Sequence, residues 1–188
     1  MLYEIRWHGR GGQGAITAAQ ILAEAAYYHH DLYITASPSF GAERRGAPIT
    51  ASTRIADEKI QLRSQIVNPD IVIVLDETLL RDVDVTAGIK PGGLIIINSS
   101  KNPEKLKLRG NFRVVTADAT KVAVDLDLRA AGLLVTNTTI LGAVVKATDH
   151  DLGISLEDIQ EVIKRHFPGP TGERNAEAAQ KTYAITNV

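Results

Sequence analysis

The residues best placed to do chemistry lie near the start of the chain, in Gly9-Arg10-Gly11-Gly12-Gln13-Gly14. Glycines at 9, 11 and 14 satisfy the spacing G-x-G-x-x-G. Between a strand and a helix, that spacing makes a tight turn and lets a ligand or another backbone approach closely. It also leaves first-turn N–H groups pointing outward, where they attract an anion. The chemistry open to it is recognition of a phosphate-bearing ligand, beside the plain use of a tight turn that packs helix on sheet. Arg10 and Gln13 exceed what a turn requires, and both can donate hydrogen bonds to a phosphate or to a neighbouring protein. A dinucleotide site also needs an acid at the end of the second strand, about 20 residues on. Here that strand ends at Ala36-Ser37, and Asp31 stands at its wrong end.

A second loop, Ser37 to Ile49, carries Phe40, Glu43, Arg44 and Arg45 between glycines at 41 and 46. It leaves the second strand at the end where parallel strands gather their C-termini, the usual ligand edge of an α/β sheet. Arginine suits carboxylate, phosphate and protein contacts, so this loop reads as an interface or anion site. A third polar cluster, Thr136-Asn137-Thr138-Thr139, opens a helix. One such residue caps free N–H groups; four in a row suggest an anion site on the helix N-terminus as well.

Other candidates carry less. Asp76-Glu77 reads as a helix cap followed by a first-turn acid. His29, His30, His150 and His166 fall near predicted helix C-termini, where a cation suits the dipole. His8 abuts the glycine loop and is the histidine to test. No metal-ligand spacing such as H-E-x-x-H is present, and no metal site is expected. No Ser–His–Asp set is arguable, and the chain reads as non-catalytic by itself.

The elements that must position these loops follow from periodicity. Leu2–Trp7 alternates as a strand, and Gln13–Tyr28 is an alanine-rich helix whose small side chains allow close packing on a sheet. Leu32–Ala36 is a short strand. Ile49–Ile55 and Lys59–Leu62 read as a β-hairpin. Ile71–Leu75, Gly92–Asn98 and Phe112–Thr116 are β-branched runs, the mark of strands buried on both faces. Helices follow at Thr138–Thr148, Leu156–His166 and Glu173–Tyr183, the second with a Ser155/Asp158 capping box. The pattern predicts a three-layer, Rossmann-like α/β domain with a mixed, mostly parallel sheet. One domain spans residues 1–188, with the helices from about 137 packing on or extending from the core.

Bulk properties narrow the function. The net charge is −1, so no global field draws the chain to nucleic acid or membrane. No apolar run approaches the roughly 20 residues of a membrane span, and a cytoplasmic location is expected. There is no cysteine, which removes thiolate chemistry and cysteine ligation of iron–sulfur clusters by this chain.

Five segments together carry a family likeness: HGRGGQG at 8–14, SFGAERRGAPITASTRI at 39–55, PDIVIVLD at 69–76, GGLIIINSS at 92–100 and TNTTILGA at 136–143. The closing GERNAEAAQKTY at 172–183 agrees. In these the chain resembles the gamma subunits of the 2-oxoacid:ferredoxin oxidoreductase family, most of all the pyruvate branch. The resemblance implies oxidative decarboxylation of a 2-oxoacid to an acyl-coenzyme A, with electrons passed to ferredoxin. It implies thiamine diphosphate and iron–sulfur clusters held by alpha, beta and delta subunits, and coenzyme A as a substrate near this chain. It places cofactor contacts at Gly9, Arg10, Gly11, Gly12, Gln13, Gly14, Asn137 and Thr138. Sister enzymes acting on 2-oxoglutarate, 2-oxoisovalerate or indolepyruvate remain the alternative. A free-standing dinucleotide-binding oxidoreductase is the weaker one.

Overall fold

A computed structural model describes residues 1–38, 44–62 and 64–188. The central sheet has six strands in the order β2-β3-β1-β4-β5-β6. They are β1 (Leu2–Arg10), β2 (Tyr33–Pro38), β3 (Pro48–Ala56), β4 (Ile71–Val74), β5 (Gly93–Asn98) and β6 (Phe112–Ala117). β1, β4, β5 and β6 run parallel. β3 lies antiparallel to both β1 and β2. The sheet is thus mixed and mostly parallel, as expected.

The antiparallel strand arises differently from the expected hairpin. Lys59–Leu62 forms no strand. Instead β3 inserts between β1 and β2, its nine residues in register with Leu2–Arg10. β2 still points the same way as β1, so the loop after it emerges beside the glycine turn. Of the β-branched strands, Ile71–Val74 and Leu94–Ile97 are buried on both faces as predicted, whereas β6, at the edge of the sheet, is only partly buried, with Arg113 exposed.

Seven helices are described: α1 (Ala15–His30), α2 (Leu79–Asp82), α3 (Ala119–Asp125), α4 (Asn137–Ala147), α5 (Asp149–Leu152), α6 (Leu156–His166) and α7 (Pro170–Ile185). α1 and α4 pack on one face of the sheet, and α6 and α7 lie against them. Their shared core contains Ile5, Trp7, Leu22, Ile96, Ile140 and Ile163. Trp7, fully buried, donates from Nε1 to Thr53 Oγ1 at 3.0 Å, and Thr53 passes a bond to Ala19 O at 2.9 Å. The chain joins β1, β3 and α1 at that point. Gly142 of α4 lies directly under the α7 backbone at Ala179, where any Cβ would overlap it. A smaller core over β4 and β5 covers the other face.

α6 begins at the predicted capping box, with Ser155 and Asp158 each bonding the other's backbone. A short two-stranded hairpin, β7 (Arg129–Ala130) and β8 (Leu133–Leu134), stands apart from the sheet.

Candidate functional site

The glycine turn joins β1 to α1 as expected, but its closest neighbour is protein. Gly11 N donates to Ala47 O at 2.9 Å, and Gly46 N donates to Gly11 O at 3.0 Å. A Cβ on Gly11 would overlap the Arg44 carbonyl. Glycine is required at 11 because the Arg44–Ala47 backbone lies against it. The two loops singled out in the sequence thus form one unit.

Arg10 and Gln13 hold that unit to the end of β4. Gln13 Oε1 accepts from Arg10 N at 2.7 Å, while Nε2 donates to Asp76 Oδ2 at 3.0 Å. The Arg10 guanidinium reaches Thr78 Oγ1 at 2.7 Å, Asp82 Oδ2 at 2.6 Å and Gly46 O at 3.2 Å. It also lies 3.3 Å from Asp76 Oδ2. Burial pushes the Asp76 carboxyl up, but bonds from Thr78 and Gln13 and the Arg10 charge together hold it below the usual range. Asp76 does cap the turn at Thr78, as expected. Glu77 is not a simple first-turn acid: it accepts from Ser99 Oγ and from Lys101 Nζ, which hold its carboxyl low.

Two cavities open on either side of Gln13. The first, about 730 Å³, lies at the C-terminal ends of β4, β5 and β6. Gln13, Asp76, Asn98, Ser99, Lys121, Arg129 and Thr136 line it. Its volume is in the range of small-molecule sites. Asn98 is fixed there by bonds to Leu75 O and Thr120 Oγ1, both 2.9 Å. Thr136 is the N-cap of α4 and is 6% exposed, yet its Oγ1 finds no partner among the described residues. A buried hydroxyl without a partner costs about 1–3 kcal/mol, so one facing a cleft marks a place where a ligand group would be held.

The second cavity, about 590 Å³, is lined by Gly12, Gly14, Asn137, Arg174 and the outer side of the β7–β8 hairpin. Asn137 sits against Gly14, donating weakly to its carbonyl at 3.4 Å. Thr138 reaches neither cavity. It is fully buried and donates to Asn175 Oδ1 at 2.5 Å, tying α4 to α7. Gly9 packs against Ala15 and Leu75. Arg44 is exposed, and Arg45 donates to Ala131 O at 3.4 Å, touching the hairpin that divides the cavities. Phe40 and Glu43 lie outside the described residues.

Sequence reasoning missed Asn98, Thr120, Lys121 and Arg129. Asn98 lies inside the GGLIIINSS segment but reads there only as strand, the short α3 and the β7–β8 hairpin carry no motif, and only the strand order brings these residues to the cleft. His8 does not face the glycine turn. It is buried on the opposite face of the sheet, where Nε2 accepts from Arg6 Nε at 3.1 Å. Burial, with the nearby Arg6 charge, pushes it down to about 4. No group of three or more His, Cys, Asp or Glu among the described residues could hold a metal ion.

The dinucleotide alternative meets a topological obstacle. The ribose-binding acid belongs on the strand adjacent to β1. Here β3 occupies that place, antiparallel, and β2 is one strand further out.

Fold and site together define an α/β chain with a cleft at the parallel strand ends, framed by a loop–loop contact. Residues 4–185 match the model of the pyruvate ferredoxin/flavodoxin oxidoreductase family. The chain belongs to that family. It is 50% identical to the pyruvate/ketoisovalerate oxidoreductases common subunit gamma of Thermococcus kodakarensis, over 100% of this chain and 98% of that one. The crystal structure of pyruvate oxidoreductase subunit PORC from Thermotoga maritima superposes with a TM-score of 0.81 at 37% identity, covering 99% of this chain and 97% of that one. The fold also recurs in a 2-oxoglutarate:ferredoxin oxidoreductase from Magnetococcus marinus, in complex with 2-oxoglutarate, coenzyme A and succinyl-CoA. There the TM-score is 0.72 and the identity 21%, and the match covers 97% of this chain but 30% of the other. Among the described residues, no helix is long and apolar enough to cross a membrane.

Proposed function

We propose that this chain is the gamma subunit of a pyruvate:ferredoxin oxidoreductase. The observation that carries the reading is the family match over residues 4–185. Thiamine diphosphate and iron–sulfur clusters, held by alpha, beta and delta partners, supply the decarboxylation and electron transfer to ferredoxin. A chain with no cysteine leaves cluster ligation by thiolate to those partners. The complex works in the cytoplasm.

This chain's own part is to position coenzyme A. The cleft fits an anionic, hydrogen-bonding ligand: Lys121 and Arg129 supply charge, and the α4 N-terminus supplies N–H groups. The Thr136 hydroxyl has a bond to give. Gly12, Gln13, Gly14 and Asn137 border the same ligand from the second cavity. Gly9 and Thr138 act through packing. Arg10 and Gly11 shape the wall, and Arg44 and Arg45 face the partner subunits.

One observation favours a second substrate. The Thermococcus kodakarensis relative is named as common to pyruvate and ketoisovalerate oxidoreductases. A subunit shared between two enzymes does not choose the 2-oxoacid, so 2-oxoisovalerate is the runner-up. The test is native purification of the chain with its companions, analysis for iron and thiamine diphosphate, and assay of ferredoxin reduction. Reduction that requires coenzyme A and prefers pyruvate is expected. A chain that purifies without companions or cofactors would overturn the proposal.

A further inference from the structure

We propose that a hollow on the face of the sheet away from α1 is a binding site for a short monocarboxylate, anchored on Arg6. The hollow, about 270 Å³, lies over β1, β3 and β2 and is closed by residues 64–66, Asp84 and Ala87. It shares no residue with the two cavities beside Gln13. Its volume is below that of sites for drug-sized ligands, so coenzyme A does not fit.

Ile5 and Trp7 point into the α1 core, so Glu4, Arg6 and His8 face the other way. On that face they head three cross-strand rows. Glu4, Arg54 and Thr35 make the first; Arg6, Ser52 and Ser37 the second; His8 and Thr50 the third. The first row shows how this face settles an arginine. Arg54, 3% exposed, donates to Glu4 Oε1 at 2.9 Å and to Ser64 O at 2.7 Å. The second row has a cation without its acid. Half-buried Arg6 spends Nε on His8 Nε2 at 3.1 Å, and Nη2 on Val85 O and Ala87 O. Among the described residues no carboxylate stands within ion-pair distance of Arg6, and its Nη1 bonds nothing. Its charge is costly there, for burial pulls its pKa down. An anion seated against Nη1 would offset that cost.

The rest of the lining selects the anion. His8 Nε2 accepts from Arg6, so the neutral ring keeps its proton on Nδ1 as a further donor. Ser37 Oγ and Ser52 Oγ lie 3.0 Å apart and need one proton between them. The other is left for Ser37 O, 3.3 Å from Ser52 Oγ, or for a ligand. Asp84 stands exposed at the edge, its Oδ1 taken by Thr86. Its charge opposes a second negative charge, so a monoanion fits and a dianion does not. Pro38, Ala51, Ile66 and Ala87 supply apolar wall for a short carbon chain.

NMR of the labelled full chain tests this, with sodium acetate titrated against sodium chloride at constant ionic strength near neutral pH. Saturable shifts are expected at the Arg6 Nε–H, the His8 ring and the amides of Ser37 and Ser52, with the millimolar Kd of so small a ligand. Sodium sulfate, doubly charged, should bind at least about tenfold more weakly. Arg6→Gln should weaken acetate binding at least about tenfold. Arg6 also ties down Val85 and Ala87, so Asp84→Asn serves as the second variant. It removes the opposing charge, keeps an oxygen for Thr86, and should tighten acetate about threefold. Acetate that shifts nothing beyond the chloride control, sulfate that binds as well as acetate, or a folded Arg6→Gln or Asp84→Asn chain with unchanged affinity would overturn the proposal.

Discussion

Gly11 and Arg44 meet backbone to backbone, so closely that a methyl group on Gly11 would overlap the Arg44 carbonyl oxygen. The turn between β1 and α1 has used its glycine to dock a second loop, and the contact is sealed by paired bonds of 2.9 and 3.0 Å. Gly11→Ala should therefore cost about 1–3 kcal/mol, through overpacking and loss of those bonds. Thermal unfolding will measure the cost. Limited proteolysis should cut the variant faster than wild type within residues 44–47; equal rates would contradict the docking role.

Thr136 separates ligand binding from stability. Thr136→Val exchanges a hydroxyl that has no partner among the described residues for a methyl of similar volume. Stability should hold or rise by up to about 1 kcal/mol, because a desolvated polar group is removed. In the assembled enzyme the KM for coenzyme A should rise about tenfold, the loss of one hydrogen bond to a ligand. The KM for the 2-oxoacid should not move. Steady-state kinetics in both substrates checks this; an unchanged coenzyme A KM would place the ligand elsewhere.

His8 makes stability depend on acid. Its folded pKa of about 4 lies below the unfolded value of about 6.5, so the fold prefers the neutral ring. Its contribution is full above about pH 6.5 and is lost as pH falls toward 4. The whole contribution approaches about 3 kcal/mol. Denaturant unfolding between those limits should show this slope in wild type. His8→Gln should flatten it, and NMR should show His8 still neutral at pH 5.

Trp7 tests the core junction. Trp7→Phe removes the bond to Thr53 Oγ1 and leaves a gap beneath β3. A loss of about 2–4 kcal/mol is expected from the cavity and the lost hydrogen bond, while Thr53 still donates to Ala19 O. Thr53→Val should cost less in the Trp7→Phe background than in wild type, a coupling that a double-mutant cycle measures.

Much of this architecture could be read from local pattern. The runs Ile71–Leu75 and Gly92–Asn98 announced buried parallel strands because β-branched residues on both faces leave no solvent side. The Ser155/Asp158 box marked the start of α6 to the residue. The position of β3 could not be read that way. Its alternation says that one face is buried, and nothing in it says which strands flank it. The expected partner, Lys59–Leu62, was nearest in sequence, but β1 and β2 offered longer registers. α3 escaped notice because seven residues rich in valine and alanine suit helix and strand alike. The glycine loop was legible as geometry, but its occupant, the Arg44–Ala47 backbone, arrives from more than thirty residues away.

The seating of Gly142 beneath Ala179 has a consequence for synthesis. α4 leaves the ribosome before α7, and the face that α7 covers is built of small and apolar side chains. Until all of Pro170–Ile185 has emerged, that groove is bare to solvent and open to chaperones or to the wrong helix. A ribosome stalled between the two helices should therefore hold a nascent chain that stays protease-sensitive, and release of α7 should make it resistant in a single step.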